Sequence, residues 1–163
     1  MTESSTPAKP APLDRLLNGV AAGLLAVTLT LSFLQVVARY VLAVSTPWSE
    51  EIARLAFVWA VFLGAAIGIR RDLHTRVDFL FVRLPAGLAA AVAVGMDLLL
   101  AGMACVMVGY GAQLVVSTRF DFSTSLGYPR NWFYLPVPVS GALMLLFLVP
   151  KLRARLLAPR EAR

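Results

Sequence analysis

The 31 residues 86–116 read AGLAAAVAVGMDLLLAGMACVMVGYGAQLVV and contain a single charged side chain, Asp97. This stretch exceeds the roughly 20 apolar residues that an α-helix needs to cross the hydrocarbon core of a bilayer. Helix is the conformation expected, because an open strand in lipid would leave its backbone N–H and C=O groups unpaired. A helix of this length measures about 46 Å against a core of about 30 Å, so it must tilt strongly or project past the bilayer.

Three further apolar stretches accompany it, at residues 16–44, 48–69 and 132–149. Of the 163 residues, 59% are hydrophobic and only 15% are charged, whereas soluble domains contain about 45–50% apolar and about 25% charged residues. The sequence therefore predicts an all-α membrane protein with four transmembrane helices. We expect this domain to occupy residues 13–152, between a disordered tail (1–12) and a basic tail (153–163), both cytoplasmic.

Lysine and arginine residues are distributed unequally between the two sides of the predicted membrane. Eleven of the 15 lie on the side that holds both termini and the loop between spans two and three. The other four are Arg39, Arg54, Arg119 and Arg130. The positive-inside rule places both termini in the cytoplasm. The net charge of +6 does not indicate nucleic-acid binding, since the basic residues stand at the ends of apolar runs.

One cysteine and one histidine restrict the chemistry available to the chain. With only one of each, the chain cannot form an internal disulfide, a cysteine-based zinc site or a haem site between two of its own histidines. We expect no cofactor and no enzymatic activity.

The turn before the second span has the features of a helix start. Thr46 suits an N-cap and Pro47 the first helical position. Glu50 and Glu51 then fall in the first turn, where the helix dipole favours carboxylates, and Glu50 can pair with Arg54 four residues on. Arg39 can reach the same acids across the turn, and Tyr40 and Trp48 suit the membrane interface. Two interpretations stay open: a well-capped interfacial helix, or a charged docking edge for another protein.

Small residues and prolines mark candidate helix contacts. Gly64 and Gly68 are four apart in span two, and Gly95, Gly102 and Gly109 recur every seven residues in span three. Small residues let helix backbones approach closely in lipid. These faces predict either packing within a four-helix bundle or contact with a second membrane subunit. Pro136 and Pro138 are expected to bend or delay the start of the last helix, and could shape a contact surface.

Asp97 is the one acid well inside a span. It lies about 18 Å along span three, which predicts a position near mid-depth, level with Thr28, Thr30 and Ser32 of span one. A carboxylate in lipid must face the protein interior or be protonated. It is therefore a candidate either for handling protons or ions or for fixing helix packing.

The loop between spans two and three is predicted to form a short interfacial helix whose arginines face anionic headgroups. His74 and Asp78 are four residues apart and suit a surface pair, while a metal site is not expected because no further ligands lie nearby. The basic segment 151–155 is interpreted as a membrane-surface anchor.

Together, several short motifs in order resemble the small four-helix membrane subunit of the tripartite ATP-independent periplasmic (TRAP) transporters of bacteria. The motifs are Arg39-Tyr40-Val41, Trp48-Ser49-Glu50-Glu51-x-x-Arg54, Phe57-Val58-Trp59, Phe62-Leu63-Gly64-Ala65-Ala66, His74-x-x-Val77-Asp78, Ser125-Leu126-Gly127-Tyr128-Pro129 and Leu135-Pro136-Val137-Pro138. The resemblance covers nearly the whole chain except its tails.

The resemblance implies an inner-membrane accessory subunit, surrounded by membrane lipids, that braces a large transport subunit of about twelve spans. In the family, that large subunit imports an organic acid together with sodium, and a periplasmic binding protein delivers the substrate. Trp48, Glu50, Glu51 and Arg54 would then lie on the side where the binding protein docks. Two other functions are weighed against this one: a self-sufficient proton-coupled oligomeric transporter that uses Asp97, and a membrane anchor for a redox complex.

Overall fold

A computed structural model describes residues 12–71 and 85–157, and within them the chain forms five α-helices. They are α1 (Pro12–Tyr40), α2 (Pro47–Arg70), α3 (Ala86–Ser117), α4 (Asn131–Tyr134) and α5 (Pro136–Leu157). Four helical segments in this part of the chain are long enough and apolar enough to cross a membrane. They are α1, α2, α3, and α4 together with α5. The predicted all-α architecture with four spans is confirmed.

The helix boundaries differ from the apolar stretches at both ends of the chain. α1 ends at Tyr40, not at Val44, because the next residues reverse the chain toward Pro47 and Ala43 takes a positive φ of 52°. α1 also begins at Pro12, which had been assigned to the N-terminal tail. α5 continues past Pro150 to Leu157, so the first residues of the predicted basic tail are helical.

Two prolines lie in the first turn of α5, directly after the point where α4 ends. Neither Pro136 nor Pro138 has an N–H group to donate to the carbonyl groups of the preceding turn, so the helical hydrogen-bond ladder is interrupted there. Helical hydrogen bonding resumes at Val139, whose N–H donates to the Leu135 carbonyl. The buried Ser140 hydroxyl donates to the Pro136 carbonyl. The expectation that these prolines disturb the start of the last helix is confirmed.

The four long helices form a layer one helix thick. α1 packs on α2, α2 packs on α5, and α5 packs on α3. Within the described residues, no comparable contact joins α1 to α3 or α2 to α3. The spatial order is therefore α1–α2–α5–α3, with α1 and α3 at the edges. The four helices therefore lie in a row, and no contact between α1 and α3 closes the described residues into the four-helix bundle that was one of the expected arrangements.

The best-packed region lies where α2, α5 and α3 meet. Its buried residues are Ala66 and Ile69 of α2, Ala104 of α3, and Met144 and Leu148 of α5. Alanine at two of these positions lets the helix backbones approach closely, which in lipid is a main source of helix association. The edge helix α1 differs, since its most apolar 18 residues include no buried residue.

The glycines that make close contacts are not those that the sequence singled out. A Cβ atom built on Gly111 would lie 2.9 Å from Pro138 Cδ, and one built on Gly141 would lie 3.0 Å from the Ala104 carbonyl oxygen. These two glycines allow α3 and α5 to pack closely against each other. Pro138 and the fully buried Pro136 thus pack inside the chain.

The predicted glycine stripe faces away from the rest of the layer. No atom lies within 4 Å of a Cβ built on Gly64, Gly95, Gly102 or Gly109, apart from the helix itself. Internal packing is therefore the wrong interpretation for these four positions within the described chain. Contact with a second subunit stays a prediction for them. Gly68, by contrast, is buried.

Several predictions fall on residues outside the described ranges. They are the short interfacial helix with His74 and Asp78, the N-terminal tail before Pro12, and the last residues of the C-terminal tail. These remain expectations from the sequence.

The contrast between the two kinds of glycine gives a matched test. Gly111→Ala places a methyl group against Pro138 and should destabilise the chain by about 1–3 kcal/mol, the usual cost of overpacking. Gly102→Ala adds the same methyl group in open space and should be neutral or slightly stabilising, because alanine favours helix over glycine. Thermal unfolding in detergent, followed by circular dichroism, measures both. Equal effects of the two variants would contradict the packing described here.

Candidate functional site

The polar side chains of the described residues gather mainly at the two ends of the layer. We call the end with the α1–α2 turn, residues 118–130 and α4 the hairpin end. The opposite end, where α1 begins and α5 finishes, is the terminal end.

The hairpin end contains a cleft of about 390 Å³ lined by charged and aromatic side chains. α2 contributes Glu50, Glu51 and Arg54, while the loop before α4 contributes Tyr128 and Arg130. Glu50 and Arg54 form an ion pair of 2.6 Å, as predicted. Both of these side chains are more than half exposed, so the pair contributes little to stability. The structure thus joins three of the predicted docking residues in one cleft.

The start of α2 positions the acids as expected, although without the expected cap. Thr46 is the N-cap residue and Pro47 lies in the first turn, but the Thr46 side chain accepts no hydrogen bond from the helix backbone. Instead, the buried Ser49 hydroxyl lies 2.8 Å from the Thr46 carbonyl oxygen and 2.9 Å from its hydroxyl. Ser49 therefore fixes the first turn from which Glu50 and Glu51 project.

A tight loop brings Tyr128 and Arg130 against these acids. The Ser123 N–H donates to the Tyr128 carbonyl, and the Gly127 N–H donates back to the Ser123 carbonyl. Gly127 adopts φ 68°, a left-handed conformation that glycine takes without strain. Burial raises the pKa of Tyr128 above its ordinary value, and the negative charge of Glu51 raises it further. The phenol therefore stays neutral and can donate a hydrogen bond beside the carboxylate.

The remaining residues predicted at this end lie outside the cleft. Arg39 is exposed and forms no ion pair with Glu50 or Glu51 within the described chain. Trp48 is exposed as well, and so are four other aromatic side chains of this end, Tyr40, Phe120, Phe122 and Trp132. Exposed aromatic rings at one end of membrane-spanning helices are typical of the lipid–water interface. Trp48 thus suits an interfacial position.

Asp97 at the terminal end is fully buried and pairs with a residue that the sequence did not suggest. Its Oδ1 atom lies 3.5 Å from Lys151 Nζ, which joins α3 to the last turns of α5. Asp97 precedes Ser117 by 20 residues, or about 30 Å of helix, so a bilayer core fits between them. Asp97 therefore lies in the half of α3 nearer the terminal end, and its depth in the bilayer stays a prediction.

The ion pair of Asp97 joins α3 to the part of α5 that continues beyond Pro150. Lys151 directly follows Pro150, and its charge partly offsets the cost of burying the Asp97 carboxylate. Thr28 lies elsewhere: its hydroxyl is 3.4 Å from the Ala53 carbonyl, in the half of the layer nearer the hairpin end. The predicted grouping of Thr28 with Asp97 is wrong.

A second charged cluster at the terminal end joins α1 to α2. Arg70 Nε lies 2.9 Å from Asp14 Oδ1, and the Arg70 guanidinium stacks on Phe147 with 5.0 Å from Cζ to the ring centroid. The sequence alone predicts that Arg70 and Lys151 both lie at the membrane surface. Asp14 and Arg70 have opposite charges at the same end of adjacent spans, which is a signal that could have suggested their pair. Asp97 and Lys151 offered no such signal, because Asp97 was expected near mid-depth and Lys151 at the membrane surface.

The described residues contain no candidate metal site. In residues 12–71 and 85–157, no group of three His, Cys, Asp or Glu side chains lies close enough together to hold a metal ion.

A known protein family matches almost all of the residues that form the layer. Residues 20–158 match the family described as "Tripartite ATP-independent periplasmic transporters, DctQ component". The chain belongs to this family. As a DctQ-family protein with four membrane-spanning helices, it is a multi-pass membrane protein and a transporter component, not an enzyme.

Three relatives of this DctQ-family chain have names that specify a transported compound. It is 30% identical to the sialic acid TRAP transporter small permease protein SiaQ of Vibrio cholerae, over 77% of this chain and 72% of SiaQ. It is 31% identical to the C4-dicarboxylate TRAP transporter small permease protein DctQ of Rhodobacter capsulatus, over 60% of this chain and 44% of that protein. It is 29% identical to the isethionate TRAP transporter permease protein DctMQ of Oleidesulfovibrio alaskensis, over 77% of this chain and 21% of DctMQ.

The Asp97–Lys151 ion pair can be tested by a double-mutant cycle in this DctQ-family chain. Asp97→Asn and Lys151→Gln should each destabilise the chain by about 3–5 kcal/mol, because each leaves a buried charge without its partner. The double variant should lose less than the sum of the two single losses, and unfolding in detergent measures all three. Strictly additive losses would show that the two side chains do not interact.

Proposed function

We propose that this chain is the accessory small subunit of a TRAP importer and does not itself conduct the substrate. The observation that carries the proposal is the single-layer arrangement of α1, α2, α5 and α3. A layer one helix thick has no interior between its own helices in which a membrane-crossing path could be enclosed. The deeply buried charge, Asp97, is paired with Lys151 near one end of the layer, which favours a structural role over proton coupling.

The proposed partner within the membrane is a larger transport subunit of about twelve spans, which this chain braces. The open glycine stripe on α3 supports a helix contact there, since small residues without a neighbour in their own chain suit close approach by another helix. The match to DctMQ also supports it, because a segment similar to this chain makes up about a fifth of that permease protein. A separate chain of this kind would keep the same contact without the covalent link.

The proposed cargo is an organic acid, carried with sodium. Support for the cargo comes from the three relatives, whose names specify sialic acid, C4-dicarboxylate and isethionate, all organic anions. Sodium as the coupling ion rests on the family resemblance of the sequence motifs. Uptake by vesicles should need this chain, the large subunit, the binding protein and a sodium gradient together. Accumulation in vesicles that contain this chain alone would refute the proposal.

The proposed orientation places both termini in the cytoplasm and the hairpin end on the periplasmic side of the inner membrane. It rests on the unequal distribution of lysine and arginine. In this orientation the cleft of Glu50, Glu51 and Arg54 faces the periplasm and helps to form the docking surface for the binding protein. Arg39 and Trp48 would flank that surface.

Labelling in intact cells tests the orientation. In a Cys105→Ala background, Ser125→Cys at the hairpin end should react with a membrane-impermeant maleimide added outside. Arg153→Cys at the terminal end should react only after the inner membrane is opened. The reverse pattern would invert the proposed topology.

Charge reversal tests the docking surface. Changing Glu50 and Glu51 together to lysine should lower uptake by about tenfold or more, since like charges across an interface cost several kcal/mol. The chain should still insert, because both residues lie at the start of α2, where charged side chains reach the membrane surface, and the rest of the span stays apolar.

A matched control distinguishes the effect of charge reversal in the cleft from the effect of charge reversal elsewhere at the hairpin end. Asp121→Lys reverses an exposed acid at the hairpin end that does not line the cleft, and uptake should stay near that of the unmodified transporter. Unchanged uptake by the Glu50 and Glu51 double variant would show that the cleft does not dock the binding protein.

A further inference from the structure

The terminal end contains a second cleft that the proposed transport function does not use. It measures about 490 Å³ and is lined by three helices. α1 contributes Leu13, α2 contributes Ile69 and Arg70, and α5 contributes Phe147, Pro150 and Lys151. Because α2 lies between α1 and α5 in the layer, it forms the floor of this cleft.

The Arg70 guanidinium has an unsatisfied donor at this cleft. Its Nε atom is taken by Asp14, but its Nη1 atom is buried and finds no hydrogen-bond acceptor among the described residues. The side chain as a whole lines the cleft and is 25% exposed, so the positive charge of the guanidinium can be approached from the cleft by an anionic group. The Phe147 ring holds the guanidinium in place by stacking on it.

The surroundings of the cleft favour an anion that also has an apolar part. The terminal end carries five basic side chains with described positions, Arg15, Arg70, Arg71, Lys151 and Arg153, against the acids Asp14 and Asp97. The single ammonium of Lys151 is paired with Asp97, whereas Asp14 pairs only with the Nε atom of Arg70, so Arg70 is the main ligand. The other walls are apolar, and the cleft lies where helices of membrane-crossing length reach the bilayer surface.

We propose that this cleft binds the phosphate of an anionic phospholipid, with the accessible part of the Arg70 guanidinium facing the phosphate. Leu13, Ile69 and Phe147 would contact the glycerol and the first methylene groups of the acyl chains. Basic clefts between membrane helices are a recognised type of headgroup site. Such a lipid would bridge α1 to α5, which contact each other little in the layer. This inference does not depend on the transported compound.

Native mass spectrometry of the full-length chain in detergent tests the proposal. With phosphatidylglycerol and phosphatidylcholine in equal amounts, the chain should retain one phosphatidylglycerol molecule preferentially. Arg70→Gln should weaken this retention by about fivefold or more, since one basic residue near an anionic membrane contributes roughly that factor. Arg70→Lys, which keeps the charge toward Asp14, should weaken it less and serves if the glutamine variant does not fold.

Two matched variants separate a lipid site from the alternatives. Arg71→Gln removes one charge from the neighbouring exposed residue outside the cleft, and should leave retention unchanged. Asp14→Asn breaks the same ion pair as Arg70→Gln but removes the competing carboxylate, and should keep or increase retention. Equal losses with Arg70→Gln and Arg71→Gln would show a diffuse basic surface and overturn the proposal. Equal losses with Arg70→Gln and Asp14→Asn would show that Arg70 acts only as an ion-pair partner, which also overturns it.

Inorganic phosphate provides the last arm of the test. At millimolar concentration it should not displace phosphatidylglycerol, because it lacks the apolar part that fits the cleft walls. Displacement by inorganic phosphate would show that the cleft takes a free anion, and the lipid assignment would be wrong.

Discussion

In lipid, two apolar helices gain little by burying leucine against leucine, because acyl chains are equally apolar. Helices associate only where their backbones approach closely or where polar groups must be paired. The contact of α3 with α5 shows this constraint directly. Gly111 and Gly141 admit Pro138 and the Ala104 backbone at distances that a larger side chain would prevent. The place of α3 in the layer depends on this contact, since α3 has no other long helix to pack on within the described chain.

The same constraint explains where the charges lie. A charged group inside the hydrocarbon region is expensive, so the described ion pairs lie near the two ends of the helices. At the hairpin end the Glu50–Arg54 pair is exposed, stays hydrated and is available to another molecule. At the terminal end Asp97 with Lys151, and Asp14 with Arg70, lie between helices and join them. One end is thus suited to recognition and the other to holding the layer together.

Many features of the chain could be predicted from the sequence because they depend on local properties. The number of spans follows from the length of each apolar run, and α2 and α3 begin and end within one residue of the predicted limits. The Glu50–Arg54 pair follows from helical spacing alone. The end of the last helix could not be predicted in this way, because α5 continues past the apolar run and through Pro150 to Leu157, where Lys151 pairs with Asp97 of another helix.

By itself, the sequence determined that the chain spans a membrane four times, which regions cross it, and that acids begin the second helix. These features depend on hydrophobicity and spacing along one segment, which are properties of neighbouring residues. Only the tertiary structure decided that the helices form an open layer in the order α1–α2–α5–α3. It alone showed that Gly111 and Gly141, not the regular glycine stripe, make the close contacts. The physical reason is that a glycine permits close approach on any face, and which face is used depends on the residues of another helix distant in the chain.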